Sequence, residues 1–192
     1  MLSDPRPPAP LFHVVLHEPE IPNNTGNIGR TCVAFASALH LIHPLGFDTS
    51  EKACRRAGLD YWPRLDVRHH ASHAEYLQQA RPARRWLFSG LADFATPAGT
   101  ARPRPMFEAD FALGDHLVFG KETKGLPAEL LAEDPARVLR FPMVPGERGL
   151  NLATAVCAAL TEAIRQSLAA GSVRLDAAGN LDQASATHAR GR

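Results

Sequence analysis

Six short apolar runs divide the sequence, and segments of turn residues or helical spacing separate them. Each run is as long as a buried strand and shorter than a buried helix. The predicted strands cover residues 11–17, 39–43, 65–68, 86–89, 116–119 and 138–141. Strands that alternate with helices are typical of an α/β fold, with a mostly parallel sheet and helices on both faces. Ligands of such sheets bind at the carboxyl ends of the strands, so the loops that follow the strands are candidate sites.

Four segments have helical character: 31–39, 50–56, 74–80 and 152–167. The last is the strongest, because Leu152, Val156, Leu160 and Ile164 recur every four residues and form one apolar stripe. We expect this stripe to be buried in the core or in a dimer interface. The segment 92–105 contains three prolines and a glycine and is predicted to be a loop.

The chain of 192 residues has the length of one domain. Its 45% hydrophobic and 21% charged residues exclude wholesale disorder. Residues 1–10 contain four prolines and are predicted to be a flexible leader, followed by a single domain over 11–168. Residues 172–192, rich in Ala, Gly and Ser, are predicted to be a disordered tail.

Composition also excludes several classes of protein. The longest stretch without a charged residue, 31–47, is shorter than the roughly 20 residues of a membrane span, and no apolar run near Met1 resembles a signal peptide. The three cysteines, Cys32, Cys54 and Cys157, form no CxxC pair, which fits a reducing cytoplasm. The net charge of +1 means that nucleic acid would have to bind through local clusters.

Histidines 69, 70 and 73 are the residues best spaced to hold a metal, since 69 and 73 lie one helical turn apart. Nothing beside them completes a ligand set of the usual kind. We therefore predict no metal site.

Three loops carry candidate chemistry. The first, Asn23 to Arg30 (NNTGNIGR), reads as a glycine-containing turn whose backbone N–H groups and Arg30 would bind an anion at a helix start. An ordinary capped helix with a surface arginine explains the same residues. The spacing matches neither GxGxxG nor GxxxxGK[ST], so both common nucleotide-binding loops are excluded.

The second loop, residues 120–127 (GKETKGLP), brackets alternating charges with two glycines, so that its backbone can approach a ligand while Glu122 offers an acceptor. A solvated turn is the alternative. The third, residues 141–151, delivers Asn151 to the start of the last helix, where a helix cap is the simplest role.

Arg55 and Arg56 precede Tyr61 and Trp62, which suggests phosphate contacts beside rings that stack on unpaired bases. Basic groups of this kind more often mark a solvated face.

Together, the three loops resemble the motifs of the SPOUT superfamily of RNA methyltransferases, in the branch that methylates ribose 2′-hydroxyls. The motifs are Asn24…Arg30 in NTGNIGRTC, FGKETKGLP at 119–127 and FPMVPGERGLNLA at 141–153. EPEIPNNTGNIGRTC and RRAGLDYW also look like the tRNA (cytidine/uridine-34)-2′-O-methyltransferase subfamily. The resemblance covers residues 11–168.

This resemblance implies a carboxyl-terminal trefoil knot, a homodimer and S-adenosylmethionine as cofactor, with no metal required. It implies methyl transfer to the ribose of nucleotide 34 in the tRNA anticodon loop. The implied cofactor-binding residues are Gly90, Leu91, Gly120, Phe141, Gly149 and Leu150. The implied catalytic residues are Asn24, Glu122 and Asn151, together with Arg30 reaching in from the other protomer.

Two residues depart from the family pattern: Gly149 and Ala153 stand where the family commonly has serines. Backbone contacts to the cofactor survive either change, whereas a hydroxyl contact is lost. Two other functions fit the same residues: 2′-O-methylation of another tRNA position or of ribosomal RNA, and RNA binding without catalysis.

Overall fold

The computed structural model describes residues 9–48, 59–147 and 149–186. The strands are β1 (His13–His17), β2 (Ala38–Ile42), β3 (Val67–His70), β4 (Arg85–Phe88), β5 (Phe94–Thr96), β6 (Gly99–Ala101), β7 (Arg104–Pro105), β8 (His116–Phe119), β9 (Val138–Arg140), β10 (Arg174–Leu175) and β11 (Leu181–Asp182). The helices are α1 (Pro22–Ala34), α2 (His73–Ala80), α3 (Ala128–Glu133) and α4 (Leu152–Ala169).

Seven strands form one sheet in the order β3-β2-β1-β8-β4-β9-β7, and every pairing within it is parallel. In the centre, Leu16 of β1 lies opposite Leu41 of β2 and Phe119 of β8. Each of the six predicted strands is present within two residues of its predicted bounds. The prediction of an α/β fold with a mostly parallel sheet is confirmed.

Alternate strand residues point to opposite faces, so the sheet separates two hydrophobic clusters. One cluster joins Leu16 and Leu117 to α4, whose Val156 and Leu160 are fully buried. The other joins Val15 and Val118 to Tyr76 of α2 and to Leu130 and Leu131 of α3. Helices therefore cover both faces, and the predicted apolar stripe of the last helix lies in the core.

Helix α1 corrects one prediction. The segment 23–30, predicted as a turn, is helical, because α1 already begins at Pro22. Proline suits the first helical turn, where its missing N–H costs no hydrogen bond. The prediction of an anion site in a turn before a helix that starts after residue 30 is therefore wrong.

The predicted loop at 92–105 is also partly wrong. It contains the hairpin β5–β6, which turns at Pro97 and Ala98, and the strand β7 at the edge of the main sheet. An edge strand tolerates Pro105, since one side of it forms no sheet hydrogen bonds. Strands of two or three residues are too short to show a period in the sequence.

The prediction of a disordered tail from residue 172 is wrong for residues 172–186. Val173 is buried against the core, and β10 pairs with β11. The Asp176 carboxylate accepts hydrogen bonds from the backbone N–H groups of Ala178 and Asn180, which closes the turn between them. Gln183 Nε2 donates to the Ala9 carbonyl at 3.1 Å. Residues 1–8 and 187–192 lie outside the described residues, as does the predicted helix 50–56.

Within the described ranges, no helix has both the length and the apolar composition needed to cross a bilayer.

Candidate active site at the carboxyl edge of the sheet

Four neighbouring strands, β1, β8, β4 and β9, end at the same edge of the parallel sheet. The segments that follow them are residues 18–21, 120–127, 89–93 and 141–151. All three predicted loop motifs meet at this edge, because α1 begins directly after residues 18–21.

Glu122 connects the second motif to the first. Its Oε2 accepts a hydrogen bond from Glu20 N (2.9 Å), and its Oε1 accepts from Ile21 N (3.3 Å) and from Asn24 Nδ2 (3.0 Å). Helix α1 has no capping side chain of its own. The carboxylate of Glu122 takes that place at the positive end of the helix.

Asn151 connects the third motif to the same network. Its Nδ2 donates to Asn24 Oδ1 at 3.0 Å, while its Oδ1 accepts from Ala153 N and Thr154 N and caps α4. A carboxylate only accepts and a backbone N–H only donates, so the two ends fix the orientation of both amides. The cap expected from the sequence is present, and the same side chain also bonds to Asn24.

The loop 120–127 is held rigidly against the segment after β1. Lys121 Nζ pairs with Glu18 at 2.5 Å, which raises the pKa of this lysine. The Glu20 carboxylate accepts from Thr123 N (3.1 Å) and Thr123 Oγ1 (2.8 Å). The sequence analysis did not single out Glu18, Glu20 or Thr123, although the alternating charges of EPE and KETK could have indicated them.

The sequence analysis attributed Gly120 to a close approach between backbone and ligand, but the structure shows a different reason for a glycine at this position. A Cβ at Gly120 would lie 2.0 Å from the carbonyl carbon of Gly125 and 2.2 Å from Leu126 N. The loop's own backbone occupies the space beside Gly120, so this glycine does not make room for a ligand. Gly120 therefore allows the loop to fold back on itself, with Lys121 and Gly125 exchanging backbone hydrogen bonds.

The other predicted cofactor-binding residues surround the ends of β4 and β9. Gly90 and Gly149 are exposed, and Leu91 and Leu150 keep 47% and 45% of their surface in contact with solvent. Phe141 stacks on Phe88 with 5.5 Å between ring centroids. A Cβ at Gly149 would meet no atom within 4 Å. Exposed backbone beside exposed apolar side chains fits a ligand that is part apolar and part polar, as S-adenosylmethionine is.

Arg30 does not contact the hydrogen-bonded network of Glu122, Asn24 and Asn151 in its own chain. It follows Asn24 by six residues of helix, a rise of about 9 Å. Its guanidinium lies over the Tyr61 ring, 4.9 Å from the centroid, and 3.8 Å from Asp60, with 66% of its side chain exposed. The geometry leaves it available to a second molecule.

Tyr61 and Trp62 are not available to stack on bases, so this prediction is wrong. They are 3% and 8% exposed, because they pack against α1 where Gly26 and Gly29 leave room. The Tyr61 hydroxyl donates to the Gly26 carbonyl. Arg55 and Arg56 lie outside the described residues.

His69 and His70, two of the three histidines from which no metal site was predicted, have different hydrogen-bond partners. His69 is exposed and hydrogen-bonds with His43 at 3.0 Å, whereas His70 is buried and hydrogen-bonds with His40.

Several known proteins are similar to this chain in sequence and in structure. A tRNA (cytidine(34)-2′-O)-methyltransferase of Saccharophagus degradans is 44% identical over 163 residues, which cover 84% of this chain and 99% of that protein. A solved structure from work on the 2-OH methylation of C/U34 on tRNA has a TM-score of 0.70 and 45% identity, covering 82% of this chain and 97% of the other.

A third similar protein is an AdoMet-bound rRNA methyltransferase from Sinorhizobium meliloti. Its structure has a TM-score of 0.64 and 25% identity, and the match covers 82% of this chain and 60% of that one. The sequence model of one family, the SpoU rRNA Methylase family, matches residues 11–161, a range that contains all three connected motifs. The chain therefore belongs to the SpoU rRNA Methylase family.

Proposed function

We propose that this protein is a tRNA (cytidine/uridine-34)-2′-O-methyltransferase, which methylates the ribose 2′-hydroxyl of the wobble nucleotide. The observation that carries the proposal is the hydrogen-bonded network of Glu122, Asn24 and Asn151 at the carboxyl edge of the sheet. It joins the three motifs in a chain that is 44% identical to a named C34 methyltransferase. Such an enzyme acts on tRNA in the cytoplasm.

S-adenosylmethionine supplies the methyl group as a sulfonium when it is bound. Gly90, Leu91, Gly120, Phe141, Gly149 and Leu150 would hold it by backbone and apolar contacts around the ends of β8, β4 and β9. Because Gly149 and Ala153 carry no hydroxyl, no contact in this proposal depends on a serine at either position.

Glu122 is a positioning residue in this proposal. Its carboxylate already accepts three hydrogen bonds, two of them from the backbone at the start of α1. Taking a proton from the ribose would cost the cap of α1. Asn24 and Asn151 likewise use their oxygens within the network and hold the loops in one arrangement.

Arg30 is assigned to the target ribose. A guanidinium stays protonated in proteins, so it is not a general base. It holds the neighbouring phosphate and stabilises the charge that develops on the 2′-oxygen, while the phosphate or a water molecule accepts the proton. Arg55 and Arg56 are assigned to further phosphate contacts.

The proposal includes a homodimer and a carboxyl-terminal knot. An exposed Arg30 outside its own chain's network supports a site completed by a partner. The knot rests on the resemblance of the motifs at 119–127 and 141–153 to the SPOUT superfamily. Sedimentation equilibrium tests the dimer: a monomer at working concentration rejects this part.

Methyl transfer to tRNA tests the function. tRNA from a strain lacking the gene is incubated with the protein and labelled S-adenosylmethionine, and 2′-O-methyl positions are mapped. We expect label at ribose 34 alone, and the set of labelled tRNAs shows which isoacceptors and which of C34 and U34 are used. A matched transcript with a 2′-deoxynucleotide at position 34 should accept none.

Three outcomes reject the proposal in different ways. Label at another tRNA position, or in ribosomal RNA only, rejects the substrate. RNA binding without any transfer indicates a non-catalytic binding protein.

A further inference from the structure

Three histidines converge at the amino-terminal edge of the sheet, at the opposite end from the methyl-transfer site. His13 and His116 begin β1 and β8 and are paired in register, and His40 lies in the middle of β2. The rings of His13 and His116 stack with centroids 4.2 Å apart, and the His40 ring lies 5.2 Å and 5.3 Å from them. His40 and His116 are 0% and 3% exposed, and His13 is half-buried.

One ring nitrogen of each histidine lies within 4.8 Å of the other two. His13 Nδ1 and His40 Nε2 are 2.9 Å apart and share a hydrogen bond. Ligands of a tetrahedral zinc ion at 2.0–2.1 Å stand about 3.3 Å apart. A metal that took the place of the shared proton would shift that proton to His13 Nε2, and would need the pair to open by a few tenths of an ångström and His116 to move closer.

A second set of hydrogen bonds orients two of the rings. Gln79 Nε2 donates to the Glu75 carboxylate, so Gln79 Oε1 is free to accept a hydrogen bond from His70 Nδ1. Because His70 then carries its proton on Nδ1, its Nε2 accepts a hydrogen bond from His40 Nδ1. His40 Nε2 is then an unprotonated nitrogen that faces His13. Likewise, the Tyr76 hydroxyl bonds to His116 Nδ1 at 2.8 Å, which leaves Nε2 as the ligating nitrogen of that ring. Metal-binding histidines commonly have their second nitrogen held in this way.

The donor chemistry selects the class of ion. Three imidazole nitrogens without a carboxylate suit Zn²⁺, Co²⁺, Ni²⁺ or Cu²⁺ and not Mg²⁺ or Ca²⁺. Burial lowers the pKa of His40 and of His116, so both rings are neutral at pH 7 and can coordinate without losing a proton. The positive charges of Arg68 and Arg85 also act on this cluster and weaken its affinity for any cation.

We propose that His13, His40 and His116 form a binding site for one divalent transition-metal ion of the zinc class. The ion would join β2, β1 and β8 at the edge remote from the methyl-transfer site. The site involves none of the residues assigned to methyl transfer, so the two proposals stand or fall separately.

Cobalt titration tests the site in the full-length protein after treatment with a chelator. Co²⁺ gives visible absorption bands whose intensity reports tetrahedral coordination, and Zn²⁺ should displace it. We expect one equivalent of Co²⁺ per chain. The variant His13→Gln changes the half-buried ligand and should lower the affinity by about tenfold or more.

His69→Gln is the matched control, because it removes an exposed histidine that pairs with His43 on the surface. Its Co²⁺ affinity should equal that of the wild type, and circular dichroism should show both variants folded. The proposal is overturned if the wild type binds no stoichiometric Co²⁺, if only weak octahedral spectra appear, or if His69→Gln abolishes binding while His13→Gln retains it.

Discussion

A single carboxylate sets the direction of the hydrogen bonds that join the three motifs. Glu122 accepts only, so Asn24 must turn its Nδ2 toward it and its Oδ1 toward Asn151. Each of these side chains therefore has to offer the donor or acceptor that the next side chain in the network lacks. The sequence motifs predicted these residues, and the position of Asn151 predicted a helix cap. The hydrogen bonds between the side chains could not be predicted, because these bonds join residues 98 and 127 positions apart in the chain.

Asn24→Asp tests this polarity, because it places a second carboxylate where an amide now donates to Glu122. We expect a loss of about 1–3 kcal/mol in the free energy of unfolding at pH 7. Part of the loss relative to the wild type should be regained at lower pH, since one carboxyl of a close pair is readily protonated. Urea denaturation at both pH values measures it.

The double variant Asn24→Asp/Glu122→Gln supplies the missing donor from the other side. It should be more stable than the sum of the two single changes predicts. Strictly additive losses would mean that the two side chains do not interact in solution.

Arg30→Ala should lower turnover by at least about 100-fold, because the variant lacks the guanidinium that we propose stabilises the developing negative charge. S-adenosylmethionine affinity should stay within a few-fold of the wild type, since Arg30 is not among the residues proposed to hold the cofactor. Calorimetry and single-turnover transfer measure the two effects. Arg30→Lys keeps the charge without the planar fork and should recover only part of the rate. Weak cofactor binding with normal transfer per bound cofactor would contradict the assignment.

Helices and strands differ in how far the sequence alone predicts them. The strand 116–119 and the helix beginning at Leu152 match their predictions, because their apolar patterns are local. Helix α1 was predicted to start late, since Asn and Gly are poor helix formers. What stabilises its first turns comes from elsewhere in the chain: Glu122 caps it, and Tyr61 and Trp62 pack against Gly26 and Gly29. No local pattern carries that information.

Leu160→Asp tests the central helix α4. Leu160 is fully buried in the cluster between α4 and the sheet. A core leucine replaced by alanine already costs about 2–5 kcal/mol, and a buried carboxylate adds to this, so the loss rivals the whole stability of a domain. We expect an unfolded protein by circular dichroism.

Thr161→Asp is the control, because Thr161 is the next residue of the helix and is exposed. It should change stability by no more than about 0.5 kcal/mol. A folded, stable Leu160→Asp protein would contradict the assigned packing of α4.

On the scale of the molecule, the sheet has two chemically different ends. The carboxyl end carries the amide and carboxylate network, and the amino end carries neutral histidines enclosed by α2. Burial lowers the pKa of His40 to about 2 and of His116 to about 3. The groups that face these two rings are His13, His70, Tyr76, Arg68 and Arg85.

Stability should therefore fall as the pH drops below about 6.5, the ordinary pKa of histidine. The unfolded chain binds protons there that the folded chain excludes, so acid favours unfolding. For two such histidines the loss between pH 7.5 and 5.5 is about 2–3 kcal/mol, measured by urea denaturation with a chelator present. His116→Gln should reduce the slope, whereas His69→Gln should change it less. A flat profile would show that the rings are solvated.

The cap of α1 also has a consequence for synthesis on the ribosome. The helix is made early, yet its cap at Glu122 and the bond to Asn151 come 98 to 127 residues later. At roughly 5–20 residues per second, translation of the longer interval takes about 6–25 s. Until Glu122 is made, this glycine-containing helix lacks its cap, and until α4 is made its apolar face stays uncovered. Chaperones that bind nascent chains could bind this segment during that interval, and the hydrogen-bonded network at the carboxyl edge would form only after Asn151 has been made.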